Sequence, residues 1–265
     1  MIRALVVAAA CATADGATAQ ERPWTPLPDP VSATCPRGLC QAEALQSFFT
    51  ALDGRAPVRV LQFGDSHTAG GVITASLLWR LQSQFPGRDI RLDAHGVVGA
   101  TLRGLESYSP LFDGPTPDLI VLAYGTNEGF DDLLDPAAYE GRLRQQIERV
   151  RQAAPSASLL ILGAPEAMRG EGGGRCPEDP EGRWRAPDML AVVRDVQHRV
   201  AAEMGVAFWD WRGRMGGDCS AHALTLGPEP LMRLDHVHFT GAGGDWIGGL
   251  LFEDLMAAHT RRGGR

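Results

Sequence analysis

The chain has 265 residues, with 25 Lys+Arg against 32 Asp+Glu and a formal net charge of −7. Hydrophobic residues make up 44% and charged residues 22%, with no biased tract, which excludes disordered and fibrous classes. The acidic balance leaves no surplus of cations to displace counterions from a phosphate backbone, so no nucleic-acid partner is expected. No apolar run after the N-terminus approaches the ~20 residues of a membrane helix, so no membrane span is expected either.

Taken in chain order, residues 1–19 read as a signal peptide. Arg3 supplies the positive start, residues 4–14 are apolar, and Ala17-Thr18-Ala19 is an A-x-A cleavage site. The rival readings are a short buried helix and a lipoprotein anchored through Cys11. Cleavage after Ala19 predicts a secreted or periplasmic protein. Residues 20–40 are Pro-rich and read as an extended leader, and residues 41–265 as a single domain.

The helical pattern over 41–52 ends at Asp53-Gly54. An alternation follows: strand 58–63, helix 71–85, strand 89–94, a short helix over 102–111, strand 118–124, helix 136–153, strand 157–162, helix 186–204, strand 206–211 and helix 240–259. Strands alternating with helices mean βαβ units and a parallel sheet. Continuous apolar strands fit a sheet covered on both faces. The prediction is an α/β, doubly wound fold with a central five-stranded parallel sheet. Long loops over 163–185 and 212–234 follow strands, where open α/β sheets bind ligands.

Export places the mature chain in an oxidising space, where an even number of cysteines suggests disulfides. Cys35, Cys40, Cys176 and Cys219 remain after cleavage. Three connectivities are open; Cys35–Cys40 and Cys176–Cys219 are favoured, and a zinc site is the rival.

The residues that bear chemistry sit at strand ends. Gly64-Asp65-Ser66-His67 follows the first strand and Gly96-Val97-Val98-Gly99-Ala100-Thr101 the second. Gly125-Thr126-Asn127-Glu128 follows the third, and Asp235-His236-Val237-His238 precedes the last helix. Each is ordinary turn material alone. Together they place a nucleophile, a base, an orienter and oxyanion donors on one rim of the sheet. Ser66 is the candidate nucleophile, His238 its base, and Asp235 the carboxylate that fixes the imidazole. The Ser66 and Gly99 backbone N–H groups and the Asn127 amide are the candidate oxyanion donors, with Gly96 the alternative to Gly99.

These blocks resemble the SGNH (GDSL-type) hydrolase superfamily, named for a Ser, a Gly, an Asn and a His in four separated blocks. Ser66, Gly99, Asn127 and the Asp235/His238 pair match them, over roughly residues 57–258. The resemblance implies a flavodoxin-like sheet, a Ser-His-Asp triad, hydrolysis of esters, and neither metal nor other cofactor. Gly-Asp-Ser-His and Gly-Thr-Asn-Glu look like the branch that contains bacterial peptidoglycan O-acetylesterases. Only residues 67–98 lie between Ser66 and Gly99, too few for the carbohydrate-binding insert that members of this branch can carry.

The reading is an exported serine esterase acting on O-acyl, chiefly O-acetyl, esters of a carbohydrate or cell-wall substrate. The alternatives are a lysophospholipase or thioesterase, an O-acetyltransferase with the same triad, and a non-catalytic wall-binding protein. A metallohydrolase built on His236 and His238, with His67 or Asp65, is the rival chemistry. His67 and Trp184 are candidate substrate contacts, the latter by sugar stacking. Asp65 and Glu128 read as braces that hydrogen-bond nearby backbone. Trp209 and Trp211 are expected to share one face of the fifth strand. The 171–175 run is flexible by composition, either a flap over the pocket or a solvated loop.

Overall fold

A computed structural model describes residues 35–263. The proposed signal peptide, Cys11 and residues 20–34 lie outside the described residues. One six-stranded sheet organises the rest: β1 (Leu39–Cys40), β2 (Val58–Gly64), β3 (Ile90–Gly96), β4 (Leu119–Ala123), β5 (Ser158–Leu162) and β6 (Ala207–Trp209). Their spatial order is β1-β6-β5-β4-β2-β3. β2 to β6 are parallel, as expected from the βαβ alternation, and β1 adds an antiparallel edge against β6. β1 is a correction: residues 35–40 are not a structureless leader. Leu39 and Cys40 pair with Trp209 and Phe208, and both side chains are buried.

The strands alternate between two cores, as period two requires of a sheet covered on both sides. Val58 and Val60 of β2, Leu119 and Val121 of β4, Leu160 and Leu162 of β5, and Trp209 face one layer. There they meet α1 (Gln46–Asp53), α3 (Val72–Gln84) and α9 (Gly241–Gly263). Leu61, Phe63, Ile120, Leu122, Leu159, Ile161 and Phe208 face the other, against α5 (Pro136–Ala153) and α6 (Asp188–Met204). α5 starts where the sequence signals it: Asp135 caps it by accepting from the Ala137 N–H, with proline at the first helical position. Gly205 ends α6 in the left-handed conformation that glycine takes without strain.

Four short helices escape the periodicity argument, which needs more than one turn to register. They are α2 (Ser66–Ala69), α4 (Thr126–Gly129), α7 (Trp211–Met215) and α8 (Ser220–Ala223). The segment over 102–111 is a 3-10 helix, Leu102–Ser107. β6 ends at Trp209, so Trp211 opens α7 instead of continuing the strand; both tryptophans are nonetheless buried, with ring centroids 5.9 Å apart.

The structure joins Cys35 to Cys40 and Cys176 to Cys219, the pairing the sequence favours. The 171–175 run is pinned as a hairpin, not loose: Gly172 N–H donates to Arg183 O and Gly174 N–H to Gly182 O, beside the Arg169–Arg185 bridge. No helix among the described residues is long and apolar enough to cross a membrane.

Candidate active site

In chain order the parallel strands run second-first-third-fourth-fifth across the sheet. The winding reverses between β2 and β4, where an open α/β sheet leaves a crevice at its carboxyl end. α2 starts there directly after β2, and α4 directly after β4. Gly64 is forced by packing: a Cβ would sit 2.1 Å from Thr68 Oγ1 and 2.7 Å from Ala123 O. Asp65 then caps α2 by accepting the His67 N–H at 2.9 Å. This tight turn sets Ser66 at the mouth of a cleft of about 360 Å³, which Val72, Ile73, Val98, Arg233, His238 and Phe239 help to line.

Three of the expected residues meet directly. Ser66 Oγ and His238 Nε2 are 2.9 Å apart, although 172 positions separate them. His238 Nδ1 lies 3.0 Å from Asp235 Oδ2. Asp235 Oδ1 accepts the backbone N–H groups of Val237 and His238, each at 2.9 Å. Burial acts to raise the Asp235 carboxyl, but those N–H groups and the imidazole outweigh it and hold it below the usual carboxylate range. A carboxylate, an imidazole and a hydroxyl in this order can move a proton off the serine.

The Gly96 and Gly99 alternatives separate on space. A Cβ at Gly96 would lie 2.0 Å from the Ala69 N, so this glycine is needed for α2 to pack over β3. Gly99 has φ 74° in a turn closed by Ala100 N–H to Val97 O, and its Cβ direction is open. Asn127 Nδ2 donates to Ala100 O at 2.8 Å, which brings the Asn127 amide to the Gly99 turn and leaves its second N–H for another acceptor. Glu128 braces the same loop by accepting the Leu102 N–H at 2.6 Å. Burial pushes its carboxyl up to about 6.

Two expected substrate contacts have partners inside the protein. His67 borders the cleft, but both ring nitrogens are engaged inside the protein, with Asp65 Oδ1 at 3.0 Å and Val237 O at 2.9 Å. It has no polar atom left for a substrate. Asp65 is thus the loop brace the sequence suggests. Trp184 lies flat on His236, ring centroids 3.5 Å apart, so one face is already stacked. His236, at φ 58°, turns its ring away from the metal set imagined for it: Nδ1 faces Leu234 O at 2.8 Å and Nε2 faces His222 Nδ1 at 2.9 Å. His222 was not singled out in the sequence; its partner is 14 positions away on an irregular loop, with no spacing to betray it. Among the described residues, Cys35, Cys40 and His198 gather three potential metal-ligand atoms, and the two sulfurs are joined in a disulfide.

A hydroxyl, an imidazole and a carboxylate in line at this switch point suit the hydrolysis of an ester. The chain belongs to the GDSL-like lipase/acylhydrolase family, whose model matches residues 63–246. No protein with a curated description matches it. Among solved structures, a peptidoglycan O-acetylesterase superposes with a TM-score of 0.66 at 19% identity, covering 87% of this chain and 97% of its own. An α/β hydrolase from the metagenome of Lake Arreo, Spain, gives 0.57 at 20% identity, covering 79% and 98%. An acetylxylan esterase from Geobacillus stearothermophilus gives 0.57 at 20% identity, covering 76% and 97%.

Proposed function

We propose that the protein is an exported serine esterase that removes O-acetyl groups from a carbohydrate, with peptidoglycan the leading substrate. The observation that carries this is the Ser66–His238–Asp235 relay, 2.9 and 3.0 Å, opening on the cleft. As Ser66 Oγ attacks the acetyl carbonyl, His238 Nε2 takes its proton and Asp235 steadies the imidazolium. The carbonyl oxygen becomes an oxyanion, received by the N–H groups of Ser66, Gly99 and the Asn127 amide. His238 returns the proton to the sugar oxygen, which leaves and gives an acetylated Ser66. A water then attacks with His238 as base, His238 passes that proton to Ser66 Oγ as the acyl bond breaks, and acetate departs.

The substrate reading is supported by the sequence blocks, by the disulfides, which suit an oxidising compartment, and by likeness in fold to enzymes described as acting on acetylated glycans. A longer acyl chain is the second reading, favoured by the apolar wall of Val72, Ile73, Val98 and Phe239. Transfer of the acetyl group to a sugar hydroxyl would use the same residues.

The test is acetate release from O-acetylated peptidoglycan, beside acetylxylan and 4-nitrophenyl esters of increasing chain length. Ser66→Ala should cut each rate by roughly 10³–10⁶-fold without altering the melting curve. A Ser66→Ala protein within tenfold of wild type removes the mechanism. A preference for octanoyl over acetyl esters removes the substrate reading and leaves the mechanism standing.

A further inference from the structure

The segment that bears Asp235 and His238 is a loop, yet it must hold an imidazole within hydrogen-bond reach of a serine on a different element. The Met168 N–H donates to His236 O and the Arg233 N–H to His238 O, and a further tie comes from a side chain adjacent to that serine. His67 is buried, with a side-chain exposure of 3%. Its Nδ1 faces Asp65 Oδ1, an oxygen that already accepts the His67 backbone N–H, and its Nε2 faces the carbonyl oxygen of Val237. A carbonyl oxygen accepts only. A neutral ring can donate from one nitrogen, so its other lone pair would point at an oxygen, with the side chain only 3% exposed. Two donors are required, and a ring with two N–H groups is an imidazolium.

We infer that His67 is kept as an imidazolium and serves as a positioning residue, tying the Val237 carbonyl, and with it Asp235 and His238, to the turn that carries Ser66. The inference rests on the serine mechanism proposed above, but not on any choice of natural substrate. It gives the bond to Val237 a charge requirement: the clamp holds while His67 keeps both protons and slips when it loses one. The groups that face the ring are Asp65 from its own turn, Asp235 and His238 from the loop it holds, and the rings of Trp211 and Phe239. Burial acts to lower the His67 imidazolium, but the hydrogen bond and charge of Asp65, the Val237 carbonyl and the charge of Asp235 outweigh it and raise it above the usual histidine range. The sign follows: the clamp is intact below that raised value and is lost as pH rises through it.

The consequence is an alkaline fall in rate that the Ser66–His238–Asp235 relay does not by itself produce, since that relay works with a neutral His238. The experiment is the pH profile of kcat/KM for 4-nitrophenyl acetate, with the uncatalysed rate subtracted, for wild type, His67→Gln and His67→Leu. Glutamine can offer an amide N–H to Val237 at any pH; leucine offers none. Wild type should show an alkaline limb, and His67→Gln should have lost it. His67→Leu should fall about 10–100-fold in kcat with little change in KM, the cost expected of a misplaced base. An alkaline limb unchanged in His67→Gln, or full kcat in His67→Leu, overturns the inference. Should either variant fail to fold, ¹⁵N chemical shifts of the histidine rings in the Ser66→Ala protein decide it alone. Both His67 nitrogens protonated at pH 7 support the imidazolium; a single neutral tautomer refutes it. Loss of all turnover in Ser66→Ala with no alkaline limb in wild type would keep the mechanism and discard the clamp.

Discussion

Two aspartate–histidine pairs meet at the cleft with the same separation and opposite surroundings. Asp65 and His67 are 3.0 Å apart, with side-chain exposures of 2% and 3%; Asp235 and His238 are also 3.0 Å apart, at 45% and 35%. Their rings lie 5.5 Å from each other. What separates them is the partner of the second nitrogen. His67 Nε2 meets a carbonyl oxygen, which has no proton to give, while His238 Nε2 meets the Ser66 hydroxyl, which has. A buried imidazole between two acceptors can only hold. A half-open one between a carboxylate and a hydroxyl can exchange a proton. On the proposed mechanism the same two residue types thus divide into a fastener and a working base through one neighbouring atom.

Isosteric amides at the two carboxylates break this comparison most directly. Asp235→Asn should lower kcat by about 10⁴-fold, because the amide favours the wrong tautomer of His238. The melting temperature should stay near wild type, since the site is exposed. Asp65→Asn should act first on stability, with only the smaller loss of rate that a loosened clamp brings. Removing one partner of a buried ion pair costs about 3–5 kcal/mol of stability, read by urea unfolding. That loss has a window. Asp65 is held below its ordinary 3.8 although burial acts against it, and His67 is raised above 6.5. The pair therefore stabilises the fold from above the ordinary carboxylate range up to the His67 deprotonation. The gap between wild type and Asp65→Asn should close at both ends. Two variants that both lose rate alone, or stability alone, would show the pairs to be alike.

A smaller effect sharpens the contrast with a buried carboxyl that has no cation beside it. Burial raises Glu128 from 4.5 to about 6, and its Oε2 has no hydrogen-bond partner among the described residues. A carboxyl raised in the folded state binds more protons there than in the unfolded chain, so stability falls as pH rises between the two values. The shift corresponds to about 2 kcal/mol. Urea unfolding at pH 4.5 and pH 7 should show this loss in wild type and not in Glu128→Gln, whose side-chain oxygen still accepts the Leu102 N–H. Equal pH dependence in the two proteins would place the loss elsewhere.

The parallel sheet and the relay were legible in the sequence for different reasons. Strands such as Leu119–Ala123 are apolar throughout because both faces are covered, and α5 announces itself by period, cap and proline. Ser66, Asp235 and His238 stood out because four short blocks fell at the carboxyl ends of predicted strands. What stayed hidden depends on contacts between loops. His67 reads as a substrate contact because it follows the candidate nucleophile, and Trp184 because it sits in a long loop with no pattern around it. Nothing local reveals that Val237 O takes one and the ring of His236 the other. His222 is invisible for the same reason. β1 was missed because two residues carry no period, and their partners Trp209 and Phe208 lie far along the chain.

That two-residue strand has a meaning for how the molecule behaves in company. Any open sheet presents two flanks of unpaired backbone, each a template on which another chain can polymerise. On one flank, Leu39–Cys40 occupies the rim of β6 and is itself too short to seed a further strand, with the Cys35–Cys40 cross-link closing the turn behind it. On the other, β3 exposes Arg91, Asp93 and His95, so a chain seeking to add there meets charged and polar side chains instead of an apolar strip. A small clasp at one border and a fringe of polar groups at the other make the sheet a poor seed for fibres.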